Sequence, residues 1–465
     1  MRQGRYQILK EGIEAWQSLV HVCRRWRRVV FGSARRLNLR LVCSPRTPVR
    51  ETIDVWPELP LYIKADGPIN GSDLRMDCVN QKGVDNIVAA LRLERRDRVD
   101  EIRLSCDDDS AIEKVFSAMQ VTFPELIFLR ISRWQSAEMV TALPESFLGG
   151  TAPRLQGLEL YRISFPGLPK LLLSATQLVR LYLEDIPHSG YFSPESVVTA
   201  LSAMTSIRSL FLLFLSPQSR PDQESRRLPP LTRSVFPVLT TLALRGASEY
   251  VDDLVACIDA PRLYELIITF FNQIVFDSPQ FSQFISRTPT LKTPEKAHVA
   301  FEGDSASVRL TSRSGYLRIR VRCKEFDWRV SSMEQICTWC LPPLSTLEDL
   351  YLAPLRYQTS ERRNNIENAL WLELLQPFPT VKNLYLSKRL APFIVPALQE
   401  LIGGSQTEAL PNLRSIFLKE IEPSEPVQEG IKKFVDARQD PIAISLWEID
   451  QEDEFEFDED DEDED

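Results

Sequence analysis

The sequence has few residues of the kinds that build catalytic or metal sites. Three histidines, His21, His188 and His298, are scattered over 465 residues, and only 17 residues are glycine. The sequence contains no Gly-x-Ser-x-Gly, no phosphate-cradling glycine-rich loop and no His-Glu-x-x-His. Those are arrangements that nucleophilic, nucleotide-dependent and zinc-dependent enzymes use. We therefore expect a protein that is not an enzyme, with no catalytic residues and no cofactor.

Long apolar segments and clustered cysteines are also missing. The longest uninterrupted apolar run covers the six residues 210–215, whereas a helix that spans a bilayer needs about 20. The first residues carry no apolar segment of the kind found in secretory signals. Eight cysteines are spread too thinly for a disulfide framework. These observations predict a cytoplasmic or nuclear protein without membrane contact.

One cysteine pair, Cys337 and Cys340, has the Cys-x-x-Cys spacing of zinc ligands. A structural zinc site needs four ligands, and no second pair or histidine lies nearby in the sequence. We interpret the pair as two half-buried thiols on a helix. The sequence predicts no metal site.

Charge is distributed unevenly along the chain. The net charge is −10, but residues 448–465 contain 14 Asp or Glu among 18 residues and no Lys or Arg. Residues 1–50 contain 12 Lys or Arg against two Glu, so that region carries +10 and residues 51–447 carry −6. A segment as acidic as 448–465 cannot bury enough apolar surface to fold, which predicts a disordered acidic tail.

A pattern of apolar residues, spaced apolar-x-x-apolar-x-apolar, recurs along the chain. Most successive copies begin 23 to 34 residues apart, near the period of about 20–29 residues of leucine-rich repeats. Stretches with helical spacing of apolar residues lie between copies, at 84–93, 196–204 and 251–258. The ten copies begin at residues 99, 126, 155, 178, 207, 239, 263, 347, 381 and 413.

The repeats predict an α/β fold, an irregular leucine-rich-repeat solenoid of strand–turn–helix units over residues 34–447. Irregularity is expected because no copy has the Asn or Cys that forms a hydrogen-bonded ladder in regular repeats. The gap at 269–346 is expected to hold two divergent units, with strands at 298–301, 307–310 and 316–322. A helical segment at 1–33 precedes the solenoid, and the tail 448–465 follows it.

The residue between the last two apolar positions of each copy points away from the core. Several of these residues are aromatic, and aromatic residues with nearby arginines often anchor protein interfaces. We predict a partner-binding concave face centred on Tyr182 and Phe211, or on Tyr351, Tyr385 and Phe417. The alternative is that loops or the C-terminal segment cover these rings.

Near the N-terminus, residues 11–31 have the apolar spacing of one amphipathic helix. Arg24, Arg25, Arg27 and Arg28 flank the apolar stripe, which is typical of a solvated helix face, so nucleic-acid binding is the less favoured interpretation. The helix is expected to cap the first repeat, to dock on a partner, or to do both.

The segment Trp16-x-x-Leu19-x-x-Val22-Cys23-Arg-Arg-Trp26 resembles the second half of an F-box. The Leu-Pro-x-Glu segment that usually opens an F-box does not precede it. More widely, the chain resembles fungal, mushroom-type F-box-like proteins with leucine-rich repeats. Shared stretches include those at 347–352, 371–378 and 381–387.

The resemblance implies a substrate-recognition subunit of a cullin-type ubiquitin ligase, which binds a target protein through its repeats. The adaptor protein of the ligase would contact Trp16, Leu19, Val22, Cys23 and Trp26. The alternative is a protein-binding leucine-rich-repeat scaffold with no link to ubiquitin.

Overall fold

The computed structural model describes residues 22–32, 39–44, 49–56, 58–65, 81–93, 96–106, 108–133, 142–165, 168–216, 233–271, 278–342, 344, 346–354, 367–387, 389–400, 409–419, 425–438 and 441–447. The chain forms two compact units, residues 1–181 and residues 182–465. The tail 448–465 lies outside the described residues, as does most of the segment 1–33. The predicted division at 33/34 and 447/448 stays a prediction.

In the first unit, short helices alternate with parallel strands that pair in chain order, β1-β2-β3-β4-β5. The division between the units falls inside the next strand, β6 (Arg180–Ile186). The elements are α1 (Arg24–Gly32), β1 (Leu39–Val42), α2 (Val49–Val55), β2 (Leu61–Ala65), α3 (Gln81–Leu91), β3 (Val99–Ser105), α4 (Asp109–Ala118), β4 (Phe128–Ser132), β5 (Gly157–Tyr161) and α5 (Leu168–Ser174).

The apolar pattern explains why these strands form a core. In β3, Ile102 and Leu104 are fully buried, while Arg103 between them is half-buried. Side chains alternate between the two faces of a strand, so the leucine-type positions of successive repeats fall into one buried layer. The following helix, α4, is capped by Asp108, whose carboxylate accepts a hydrogen bond from the backbone N–H of Ser110 (3.4 Å). This cap stabilises the start of the helix.

The second unit continues the alternation. Its elements are α6 (Pro194–Leu201), β7 (Ser209–Phe214), β8 (Ser234–Val235), β9 (Thr241–Gly246), α7 (Ser248–Ala256), β10 (Ile258–Asp259), β11 (Glu265–Phe271), α8 (Pro279–Arg287), β12 (Lys296–Glu302), β13 (Ser305–Thr311), β14 (Tyr316–Arg322), α9 (Phe326–Gln335), a π-helix (Ile336–Cys340), β15 (Asp349–Pro354), α10 (Asn368–Leu375), β16 (Asn383–Ser387), α11 (Ala391–Glu400), β17 (Ser415–Lys419), α12 (Glu425–Ala437) and β18 (Ala443–Trp447).

The main sheet of this unit is parallel except at one strand. Its order is β7-β9-β11-β14-β13-β12-β15-β16-β17-β18, and β13 pairs antiparallel with both of its neighbours. The chain therefore leaves β11, enters the sheet three positions further along at β12, and returns through β13 to β14 beside β11. The expectation of two divergent repeat units at 269–346 is wrong, because these strands form an antiparallel meander. The three predicted strands themselves are present.

Gly315 closes the turn between β13 and β14. A Cβ atom built on Gly315 would lie 2.4 Å from the backbone oxygen of Thr290, so a side chain does not fit there. The hydroxyl of Ser312 accepts hydrogen bonds from the N–H of Ser314 (3.2 Å) and of Gly315 (2.9 Å). Such serine turns stabilise a tight reversal, and this one returns the chain into the sheet.

The ten predicted strand positions are confirmed, and so is the α/β repeat solenoid as the fold class of each unit. The three helices predicted at 84–93, 196–204 and 251–258 correspond to α3, α6 and α7, with ends that differ by a few residues. In α6, Ser193 is the N-cap and Pro194 is the first helical residue. The helix therefore begins two residues before the predicted start at residue 196.

Candidate protein-binding face

Each strand from β7 to β18 in the main sheet of the second unit contributes one residue to a row on the sheet face opposite the leucine core. In β16, Leu384 and Leu386 are fully buried, and Tyr385 between them is half-buried. Because the strands pair in register, these residues form one row across the sheet. The residues from β7 to β18 are Phe211, Ala243, Ile267, Arg318, Arg309, His298, Tyr351, Tyr385, Phe417 and Ser445.

Four neighbouring rings in this row stack on one another, and we call them the ring stack: His298, Tyr351, Tyr385 and Phe417. The ring centroids are 4.2, 4.1 and 4.5 Å apart along the stack. The planes of neighbouring rings differ by 9° to 10°. The spacing follows from the sheet, because adjacent strands lie about 4.8 Å apart.

The ring stack is buried at its centre and accessible at its sides. Tyr351 is 7% exposed, whereas His298, Tyr385 and Phe417 are half-buried. Stacked aromatic pairs contribute about 0.5–1.5 kcal/mol beyond the area they bury. The stack is therefore a rigid apolar ridge that loses little conformational entropy when a partner covers it.

His298 is neutral in this setting. Burial, together with the positive charges of Arg309 and Lys296, lowers the pKa of His298 to about 3. A neutral imidazole is the form that packs face to face against Tyr351. The ammonium group of Lys296 lies 6.0 Å from the centre of the Tyr351 ring, at cation–π distance.

Next to the ring stack lies a group of cations that we call the arginine cluster: Arg309, Arg318 and Arg320. Nη2 of Arg318 lies 3.3 Å from Oε1 of Glu302, and Nη2 of Arg320 lies 3.0 Å from Oε2. Their side chains are 13% and 17% exposed, and Arg309 is 9% exposed. Burial and the neighbouring Arg320 lower the pKa of Arg318 below its ordinary value.

The repeat pattern does not reveal the arginine cluster, because its strands belong to the meander and not to a repeat. A signal was nevertheless present. In the stretch 316–322, Tyr-Leu-Arg-Ile-Arg-Val-Arg, apolar residues alternate with arginines. That alternation indicates a strand with one buried face and one cationic face.

The predicted partner-binding residues form two separate groups. Tyr182 and Phe211 stack with their centroids 4.7 Å apart. Tyr351, Tyr385 and Phe417 belong to the ring stack. Ala243 and Ile267, followed by Arg318 and Arg309 of the arginine cluster, occupy the row positions between Phe211 and His298.

In the first unit the corresponding face carries paired charges. Nε of Arg103 lies 2.7 Å from Oε1 of Glu101. Glu159 is 5% exposed and lies between two arginines, 3.8 Å from Nη1 of Arg130 and 3.2 Å from Nε of Arg180. Glu101 and Glu159 thus pair with three of the arginines of this face.

Of the predicted adaptor-binding residues, Trp16 and Leu19 lie outside the described residues. Val22 is 64% and Trp26 is 48% exposed, and Cys23 is also exposed. The carbonyl of Cys23 accepts a hydrogen bond from the N–H of Arg27 (3.0 Å) at the start of α1. Of the helix predicted over 11–31, only residues 22–31 are described. There Val30 is buried while Trp26 is exposed. The capping and the docking interpretation both stay predictions.

Cys337 and Cys340 lie on the π-helix and are 4% and 1% exposed, so they are buried and not half-buried as predicted. Burial raises the pKa of Cys340 to about 12 and raises that of Cys337 as well, which keeps both thiols protonated. Within the described ranges, no group of three or more His, Cys, Asp or Glu has the arrangement of a metal site. No helix in those ranges has the length and apolarity needed to cross a bilayer.

No family model and no curated protein matches the chain. Among solved structures, the chain is similar to the leucine-rich repeat-containing protein LegL7 from Legionella pneumophila, with 12% sequence identity and a TM-score of 0.27. The similarity covers 86% of this chain and 97% of that chain. Because this TM-score is low, we assign the fold class from the repeat period and the parallel strand pairing and not from this similarity.

Proposed function

We propose that the chain is a protein-binding leucine-rich-repeat scaffold whose partner docks on the ring stack and the arginine cluster. The observation that carries this proposal is four parallel rings beside three arginines on the sheet face opposite the core. Aromatic residues and arginine are enriched where protein interfaces gain most of their affinity. In this proposal the chain acts by binding and performs no chemistry of its own.

The experiment is quantitative affinity purification of the full-length chain and of the double variant Tyr385→Ala/Phe417→Ala. We expect association with specific partners to fall about tenfold or more, because two anchoring rings are lost. Circular dichroism should show that the variant remains folded. The matched control is Trp339→Ala, which removes an aromatic ring that is 68% exposed and lies outside the row.

Unchanged capture by a folded double variant would contradict the proposal. Equal losses in the double variant and in Trp339→Ala would also contradict it, because they would indicate nonspecific adsorption of exposed rings.

A second candidate function is supported by the exposed residues near α1. Val22, just before α1, is 64% exposed. Trp26 and Val29 are 48% and 57% exposed and lie three residues apart in α1, so they share one helix face. Such a face suits docking on another protein. It fits the F-box-like role, in which the adaptor of a cullin-type ubiquitin ligase binds here while the repeats hold a target. The seven described cysteines are free thiols, which suits the reducing cytoplasm or nucleus that this role requires.

Co-purification with the adaptor subunit tests this second candidate. Trp26→Ala should abolish binding, whereas Arg24→Ala, on the opposite side of the helix, should leave it intact. A full-length chain that folds but does not bind the adaptor would exclude the ubiquitin role and leave the scaffold function unaffected.

A further inference from the structure

The meander of the second unit concentrates positive charge on one sheet face. Strands β12, β13 and β14 contain Lys296, Arg309, Arg318, Arg320 and Arg322, and their one carboxylate is Glu302. All six side chains belong to the face opposite the leucine core, as the alternation along each strand requires. The three strands therefore carry a net charge of about +4 on that face.

The flanking strands neutralise only part of this charge. Glu265 on β11 and Asp349 on β15 lie two residues before the row. Their oxygens already accept hydrogen bonds from the side chains of Thr241 (3.3 Å) and Asn383 (2.7 Å). Nε of Arg318 is buried and has no hydrogen-bond partner among the described residues. Partly buried cations attract an anion more strongly than solvated ones do, because water screens them less.

The same unit carries a segment of complementary chemistry. Residues 448–465 directly follow β18 and contain 14 acidic residues, eight of them consecutive at 458–465. Phe455 and Phe457 alternate with glutamates just before that acidic run. The segment thus carries aromatic rings that could pack on the ring stack and an anionic stretch that complements the charge of the arginine cluster.

The segment is also long enough to reach the face. Strand β13 lies five positions from β18, which corresponds to about 24 Å at about 4.8 Å per strand. Eighteen residues span up to about 60 Å when extended. A tethered segment of this length has an effective concentration of the order of millimolar, so even weak contacts are populated.

We propose that residues 448–465 dock on this face of their own chain, with the acidic run against the arginine cluster and Phe455 and Phe457 against the ring stack. The tail then occupies the face until a partner displaces it. The displacement by a partner rests on the proposed scaffold function. The docking of the tail does not rest on it and can be measured without a partner.

Zero-length carbodiimide cross-linking of the full-length chain tests the docking. The reagent activates a carboxylate, and a lysine amine that touches it attacks to form an amide. We expect mass spectrometry to find Lys296 joined to carboxylates of 448–465 at about 20 mM salt and several-fold less product at about 0.5 M salt. Lys292 is exposed and lies outside the row, so it serves as the control amine.

Two charge variants locate the contact. Arg309→Gln/Arg318→Gln should lower the Lys296 cross-link several-fold. Arg313→Gln should leave it unchanged, because the side chain of Arg313 is 92% exposed and lies in the turn after β13. Cross-linking of Lys296 to the tail that does not exceed that of Lys292 would overturn the proposal.

A tail variant keeps the test valid if the arginine variants fail to fold. Replacing the acidic residues of 458–465 with Asn and Gln changes no residue of the described strands and helices. Amide hydrogen exchange in β13 and β14 should then be faster than in the wild type, and equal exchange would also overturn the docking. If docking fails while Tyr385→Ala/Phe417→Ala still loses its partner, the scaffold function stands alone.

Discussion

The same strand position carries paired charges in the first unit and stacked rings in the second. In the first unit Arg103 pairs with Glu101, and Arg130 and Arg180 share Glu159 on the same face. In the second unit the rings stack, and Arg318 and Arg320 beside them share the carboxylate of Glu302. Stacked rings beside clustered arginines have the composition of protein interfaces. The comparison therefore supports our proposal that a partner binds the second unit.

The largest expected effect comes from the centre of the ring stack. Tyr351→Ala removes a ring that is 7% exposed and stacked on both sides. We expect the free energy of unfolding to fall by about 3 kcal/mol, as for other buried rings. Phe417→Ala removes a half-buried ring that stacks on Tyr385, and should cost about 1 kcal/mol. Urea denaturation measures both, and equal losses would contradict a stack that is buried at its centre.

The next effect is a pH dependence that belongs to the second unit. Above pH 6.5, His298 is neutral in both states and contributes no dependence. Below pH 6.5 the unfolded chain takes up a proton, while the folded chain stays neutral until about pH 3. Stability should therefore fall by up to about 1.4 kcal/mol per pH unit, or about 2 kcal/mol between pH 6.5 and about pH 5.

His298→Phe is the matched control, because it keeps a ring in the stack and removes the proton site. The difference between the unfolding free energies of wild type and variant isolates this contribution from carboxylates that titrate in the same range. A difference that stays constant between pH 7 and about pH 5 would show that the folded state also binds the proton.

A smaller effect is expected from the paired charges of the first unit. Glu159→Gln leaves Arg130 and Arg180 without their shared carboxylate, and it should lower the free energy of unfolding by about 1.5 kcal/mol. The control is Glu125→Gln, since Glu125 pairs with Arg154 at the surface, where both side chains are about half exposed. That variant should change stability by less than about 0.5 kcal/mol. Urea denaturation at low salt compares the two, and equal losses would mean that burial of Glu159 is unimportant.

The smallest effect should come from the arginine cluster itself. Arg318→Met breaks the contact with Glu302 (3.3 Å) but also removes one of three neighbouring cations. The relieved repulsion offsets the lost contact, so we expect stability to change by less than about 0.5 kcal/mol. Arg130→Met in the first unit breaks a pair with the buried Glu159 and should destabilise by about 1 kcal/mol. Thermal denaturation of both variants checks the contrast. A larger loss for Arg318→Met than for Arg130→Met would reverse the comparison between the two faces.

Much of the fold and part of the site were predictable from the sequence. The spacing of leucines in stretches such as 347–352 predicts a strand with two buried residues and one outward residue. That rule alone selects Tyr351, Tyr385 and Phe417. The rule does not predict that Arg309 and Arg318 become neighbours. The alternation of apolar residues is the same in parallel and antiparallel strands, so it does not give the direction of the strands in the meander. His298 was visible only as an isolated histidine.

The repeating unit, its period and the buried side of each strand follow from the sequence, because they depend on the local alternation of apolar residues. Which residues of the outer side become neighbours depends on the tertiary structure. The antiparallel strand β13 places Arg309 between Arg318 and His298, although these residues lie 9 and 11 positions from it along the chain. Neighbour relations across a sheet depend on strand order and register, and these are set by packing between segments that are distant in sequence.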